Sequence, residues 1–195
     1  MKVYVAESVS TADFFHRRWE GHVVEEIARL LGGRAFYRIV ITRDLLMEAI
    51  RRAEKSECDV FHLSCHGNSS GLALTSGEVL SWDALSAAFE TAGYAPSALV
   101  LSSCLGGDRG AARAFKERTL RPKVIFGSEG DDGNNLTFAG ACVAWPILYT
   151  ELESRGMARE VFRDAIDKMN TVARHEFIYW RWDDDRDGYR RYPTR

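Results

Sequence analysis

Asp59-Val60-Phe61-His62-Leu63-Ser64-Cys65-His66-Gly67 and Ala98-Leu99-Val100-Leu101-Ser102-Ser103-Cys104-Leu105-Gly106-Gly107 share one construction. Each is a short apolar run of strand composition that ends in a reactive side chain and then glycine. The first delivers an imidazole, His66, and the second a thiol, Cys104. Strand-like and helix-like stretches alternate around them. Further strands are expected near residues 2–7, 35–41, 123–127 and 177–182, with a small hairpin from Leu72 to Leu80 turning at Gly77. Ser10 or Thr11 is expected to cap a helix from Ala12, with Trp19, Val23, Ile27, Leu30 and Leu31 as its apolar stripe and Gly32-Gly33 as its end. Thr42, Ser81 and Gly107-Asp108 open other helices. Pro146 is expected to start, kink or break part of the apolar run from Phe138 to Leu152. Such alternation implies right-handed crossovers and an α/β fold, a mainly parallel sheet of about six strands covered by helices on both faces. Sites in these sheets form beyond the carboxyl ends of strands, where both His66 and Cys104 fall.

The chain has 195 residues, 46% hydrophobic and 28% charged, enough for a sizeable core, and is read as a single domain over 1–195 with a charged, exposed tail from about 183. Its formal charge of −2 argues against a generic nucleic-acid binder. No run approaches the roughly 20 apolar residues that span a bilayer. The four cysteines (Cys58, Cys65, Cys104, Cys142) make no CxxC pair and no disulfide-like pattern, so a reducing cytoplasm is the expected setting.

A thiol becomes a competent nucleophile at neutral pH when a neighbouring imidazole takes its proton, and its acyl chemistry also needs donors for an oxyanion. His66 and Cys104 supply the first two parts. Gly67 permits a tight turn that brings an N–H near a substrate carbonyl, and the Cys104 N–H is a second donor. Competing readings are weaker. Strand alternation turns Cys65 away from His66 and into the core. Four strand residues separate His62 from His66 by about 13 Å, too far for one metal, so Cys58, His62, Cys65 and His66 are not read as zinc ligands. A phosphatase loop needs an arginine where Gly110 stands. Asp183, Asp185, Asp187 and Gly188 resemble the start of a calcium loop, but Thr194 occupies the place of its closing glutamate. No metal and no cofactor is expected.

With those residues in view, the sequence resembles the caspase-like (clan CD) cysteine peptidases, and within them the CHAT-domain branch, which is related to separase and caspases. The likeness rests on the strand ending His66-Gly67, the Gly-Leu-x-Leu hairpin with Gly77, and Leu101-Ser102-Ser103-Cys104-x-Gly. Val124-Ile125-Phe126-Gly127-Ser128 with the acidic loop after it, and His175-Glu176-Phe177-Ile178-Tyr179-Trp180, extend it along most of the chain. The resemblance implies a caspase–hemoglobinase three-layer sandwich and a cysteine endopeptidase. His66 would be base and Cys104 nucleophile, with the Gly67 and Cys104 N–H groups as oxyanion hole. Position 102 is serine, where relatives carry an acid or glutamine, so an acidic S1 pocket for a basic P1 residue would come from Asp131 or Asp132. No third catalytic residue is assigned. The partners implied are a protein substrate and a regulatory protein, with no nucleic acid or membrane, and bacterial relatives associate with defence and cell death. The alternative is a silent module that keeps the fold and binds a partner.

Overall fold

Val60, Val100 and Phe126 are all fully buried although they sit on three different strands, because each strand is covered by helices on both faces. The computed structural model describes residues 1–129, 136–173 and 176–194. In chain order the elements are β1 (Lys2–Ser8), α1 (Thr11–Phe15), α2 (Glu20–Leu30), β2 (Arg34–Ile39), α3 (Arg43–Lys55), β3 (Val60–Asn68), β4 (Gly71–Ala73) and β5 (Val79–Ser81). There follow α4 (Trp82–Thr91), β6 (Ala98–Ser102), α5 (Arg109–Lys116), β7 (Val124–Glu129), α6 (Phe138–Arg155), α7 (Arg159–Ala173), β8 (Glu176–Asp183) and β9 (Gly188–Tyr192).

The strands run in the order β2-β1-β3-β6-β7-β8-β9, with the β4–β5 hairpin carried on the end of β3. The first five pair in parallel, and β8 and β9 add on antiparallel. The α/β sandwich expected from the sequence is therefore present, with a longer sheet. One face packs against α2, α6 and α7, and the other against α3, α4 and α5. Register aligns the strand ends: Ser8 lies beside Cys65, and Ser64 beside Ser102. Val9, His66 and Ser103-Cys104 consequently leave the sheet along one edge.

Four local expectations are corrected. The first helix is two helices, because α1 ends in a Schellman turn with Arg17 left-handed (φ 55°). There the Arg18 and Arg17 N–H groups donate to the Asp13 and Phe14 carbonyls. The buried stripe of α2 is Glu20, Gly21, Val24, Glu25 and Ala28, one residue out of phase with the expected stripe, while Val23 and Leu30 are exposed. Gly21 decides that phase: a Cβ there would lie 3.0 Å from Val5 Cγ1, so the helix rests directly on β1. Pro146 lies inside an uninterrupted α6. Fully buried Trp145, Leu148 and Tyr149 are worth about 1.5–3 kcal/mol each, which outweighs the roughly 3 kcal/mol of an interior proline. Finally, among the described residues of the tail only 184–187 form a continuous exposed run. β9 pairs with β8, and Tyr189 donates to the Pro122 carbonyl at 2.7 Å.

Candidate active site

His66 stands near the end of β3 with its side chain half exposed, and its Nε2 lies 2.7 Å from Asp13 Oδ2. Asp13 is buried at the start of α1, the short helix that follows β1. Ser10 caps that helix by accepting from the Asp13 N–H at 3.1 Å, and its hydroxyl donates to Asp13 Oδ2 at 2.5 Å. Arg18 adds a longer contact at 3.4 Å. Burial works against charge on Asp13, but the Ser10 and His66 hydrogen bonds and the Arg18 guanidinium outweigh it and hold the carboxyl below its ordinary range. An ionised carboxylate only accepts, so Nε2 of His66 donates to it, and Nδ1 is the ring nitrogen that Asp13 does not engage. The ring's edge is fixed further by a perpendicular contact with Phe138, centroids 6.3 Å apart. Asp13 is the residue that sequence reasoning missed, where no third group was assigned.

Cys104 follows β6 in a turn built from glycines and one strained residue. Leu105 is left-handed (φ 59°), an uncommon conformation for a branched side chain. The Gly106 N–H donates to the Ser103 carbonyl and the Gly107 N–H to the Ser128 carbonyl, while Trp180 Nε1 donates to the Gly107 carbonyl at 2.8 Å. The turn after Cys104 is thus tied to both β7 and β8. Gly67 passes close to the same turn: a Cβ there would lie 2.9 Å from the Cys104 carbonyl oxygen and 3.0 Å from Ser103 Oγ. Only glycine lets β3 approach the thiol's backbone so closely.

His66 and Cys104 line one narrow cleft of about 50 Å³, together with Ser8, Ser102, Ser103 and Leu136. Burial pushes the Cys104 thiol above its ordinary value, offset in part by hydrogen bonding with the backbone of Leu136 and of Cys104 itself. Burial thus opposes the imidazole-held thiolate that the sequence suggests. Alkylation of Cys104 by iodoacetamide tracks the thiolate fraction, so its rate is expected to rise with a midpoint above the ordinary thiol pKa. Mass-spectrometric quantification of the adduct against pH checks this, and a midpoint below that value would sink it.

Other candidates fall out as follows. Ser102 accepts from Trp145 Nε1 at 2.7 Å and lines the cleft with Ser103, whose Oγ is buried without a hydrogen-bond partner among the described residues. Cys65 packs against the core on one side, as alternation predicts, and also lines the cleft, where burial pushes its thiol up. His62 is fully buried between Tyr149 at 2.9 Å and Glu20 at 3.2 Å. Glu20, 2% exposed, lines the cleft floor through α2. Asp131 and Asp132 lie outside the described residues.

No family model and no curated protein sequence matches the chain. Among solved structures it is similar to a secreted C11 cysteine protease from Bacteroides thetaiotaomicron, iotapain. The match has a TM-score of 0.60 at 11% identity, and it covers 92% of this chain but only 66% of that protease's length. At that identity the likeness is one of fold: this chain has the caspase-like α/β fold of that C11 cysteine protease.

Proposed function

We propose that this chain is a cysteine endopeptidase, of the CHAT branch that its motifs resemble, cleaving a protein substrate after a basic residue. The observation that carries the reading is the shared cleft of Cys104 and His66 with Asp13 behind the imidazole. Cys104 Sγ attacks the scissile carbonyl carbon as its proton passes to His66 Nδ1, and the carbonyl oxygen becomes an oxyanion beside the Gly67 and Cys104 amides. The C–N bond then breaks, the imidazolium protonates the leaving amine, and a thioester remains. Water, deprotonated by His66, hydrolyses it and frees the thiol. Asp13 stabilises the imidazolium throughout. A cytoplasmic site of action and a regulatory partner belong to this reading through the free thiols and the resemblance, as does a role in bacterial defence. Among the described residues no helix is long and apolar enough to cross a membrane.

The P1 preference rests on Glu20. Its buried carboxyl lines the cleft beside hydroxyls of Ser8, Ser64, Ser102 and Thr137, while Val9, Leu136, Phe138 and Ala141 make the apolar walls. The carboxyl and hydroxyls suit an ammonium or guanidinium, and the apolar walls suit its methylene stem. The test is digestion of a peptide library read by mass spectrometry. Cleavage is expected after Lys or Arg, with Glu20→Gln lowering that preference over norleucine about tenfold while keeping the His62 hydrogen bond. Cleavage after acidic or apolar residues only would remove the basic-P1 reading, and no cleavage of any peptide or protein would favour a silent binding module.

A further inference from the structure

At the sheet edge farthest from β2, and at the opposite end from the cleft, arginines converge. Arg181 on β8 stands beside Arg190 on β9 in register with Val124, the first residue of β7, whereas the nucleophile turn touches the last residues of that strand. A cavity of about 360 Å³ opens there, lined by Arg159, Arg181, Arg186, Arg190 and Arg191 with Tyr179, Tyr192 and Thr194. Among the described residues, no carboxylate and no lysine lines it. Asp183 neutralises Arg190, and Glu129 neutralises Arg191. Arg159, Arg181 and Arg186 have no carboxylate partner among the described residues. Three guanidiniums that line one cavity without a paired carboxylate, on a chain of net charge −2, leave donor capacity that an anion would fill. The charges also converge on one atom: burial raises the Tyr179 hydroxyl, and Arg159, Arg163 and Arg181 all pull it back down.

We propose that this cavity binds a compact anion bearing several phosphate groups. The volume falls in the range of small-molecule sites. Guanidiniums present planar forks that match phosphate oxygens in pairs, which explains an all-arginine lining better than a solubilising surface would. An extended nucleic acid fits less well. Its bases need free aromatic faces, but Tyr192 is stacked between Tyr179 at 5.3 Å and the Arg163 guanidinium at 5.0 Å. The ring of Trp182 is covered by Arg121 at 3.9 Å.

Isothermal titration calorimetry with inorganic tripolyphosphate, ATP and a single-stranded twelve-nucleotide DNA tests this. Tripolyphosphate is expected to bind one to one. Arg159→Ala with Arg181→Ala should weaken it about tenfold or more, and Arg181→Lys less. Arg109→Ala with Arg113→Ala, in the neighbouring groove over α5, should leave it unchanged. ATP binding as tightly as tripolyphosphate marks a phosphate chain as the recognised group, and tighter ATP binding marks a nucleotide, both within the proposal. Unchanged affinity in the Arg159 and Arg181 double variant overturns the site, as does no heat with any phosphate. DNA binding tighter than either small anion overturns the compact ligand. Arg186→Ala, on the exposed turn, repeats the test should the double variant fail to fold.

Discussion

Cys104→Ala is expected to lower cleavage of a good peptide substrate by at least about a thousandfold without loss of folding. The alanine removes only the sulfur and its long contact with the Leu136 carbonyl at 3.9 Å, while the turn's own hydrogen bonds run through the Gly106 and Gly107 backbone. His66→Ala should cost a similar factor. The double variant should be little worse than either single one, because the thiol and its base act as one unit. Asp13→Asn separates positioning from chemistry. The amide keeps the shape and the Ser10 cap, but it does not hold the Nε2–H tautomer that leaves Nδ1 free to take a proton. We expect kcat to fall about a hundredfold, with KM changing less than about twofold. The sign of the pH effect follows from Asp13's depressed carboxyl: its grip on His66 is intact above the ordinary carboxylate range and is lost as pH falls through its folded value. Wild-type activity should therefore stay free of Asp13 titration at neutral pH. Wild-type activity in Cys104→Ala, or kcat unchanged in Asp13→Asn, would refute the assignments.

How far these residues can be read from sequence depends on how local their signals are. His66 and Cys104 are legible because each closes a strand-like apolar run and is followed at once or within two residues by glycine. Two strands ending at one sheet edge need no finer register to place them together. Asp13 is a polar residue on a five-residue helix, 53 positions before its partner, and its role exists only because β1 and β3 are neighbours. The available signal was Ser10-x-x-Asp13, a capping box directly after a strand. Glu20 was hidden by helix phase. Reading Trp19 and Val23 as the buried stripe turns Glu20 to solvent, and only the close seat of Gly21 on β1 rotates it inward. The tail misled for a physical reason too: β9 keeps its charges on an edge strand, where Arg191 meets Glu129 and Tyr192 donates to Asp167 at 3.0 Å. Composition alone reads such a strand as solvated loop.

Gly127→Ala should destabilise the fold and disable the site together, although residue 127 is no part of the chemistry. An added Cβ would sit 2.3 Å from the Gly107 nitrogen and 2.4 Å from the Gly106 carbonyl carbon, both backbone atoms that no rotamer change can move. To reach ordinary contact the turn must lift by about 1 Å, which breaks the Gly107 N–H to Ser128 bond and pulls on Trp180. Overpacking of this kind costs about 3 kcal/mol, or a fall of roughly 10 °C in Tm for a chain this size. Because Cys104 rides on the lifted turn, kcat should drop by about a hundredfold in the protein that remains folded. Gly77→Ala is the matched control. Its φ of +86° strains an alanine by about 1–2 kcal/mol, but nothing lies within 4 Å of the new Cβ, and the hairpin tip bears no part of the cleft. It should therefore lower Tm by a few degrees and leave kcat unchanged. Thermal denaturation paired with active-site titration distinguishes the two, and equal kcat in both variants would mean that the β7 contact does not position the nucleophile.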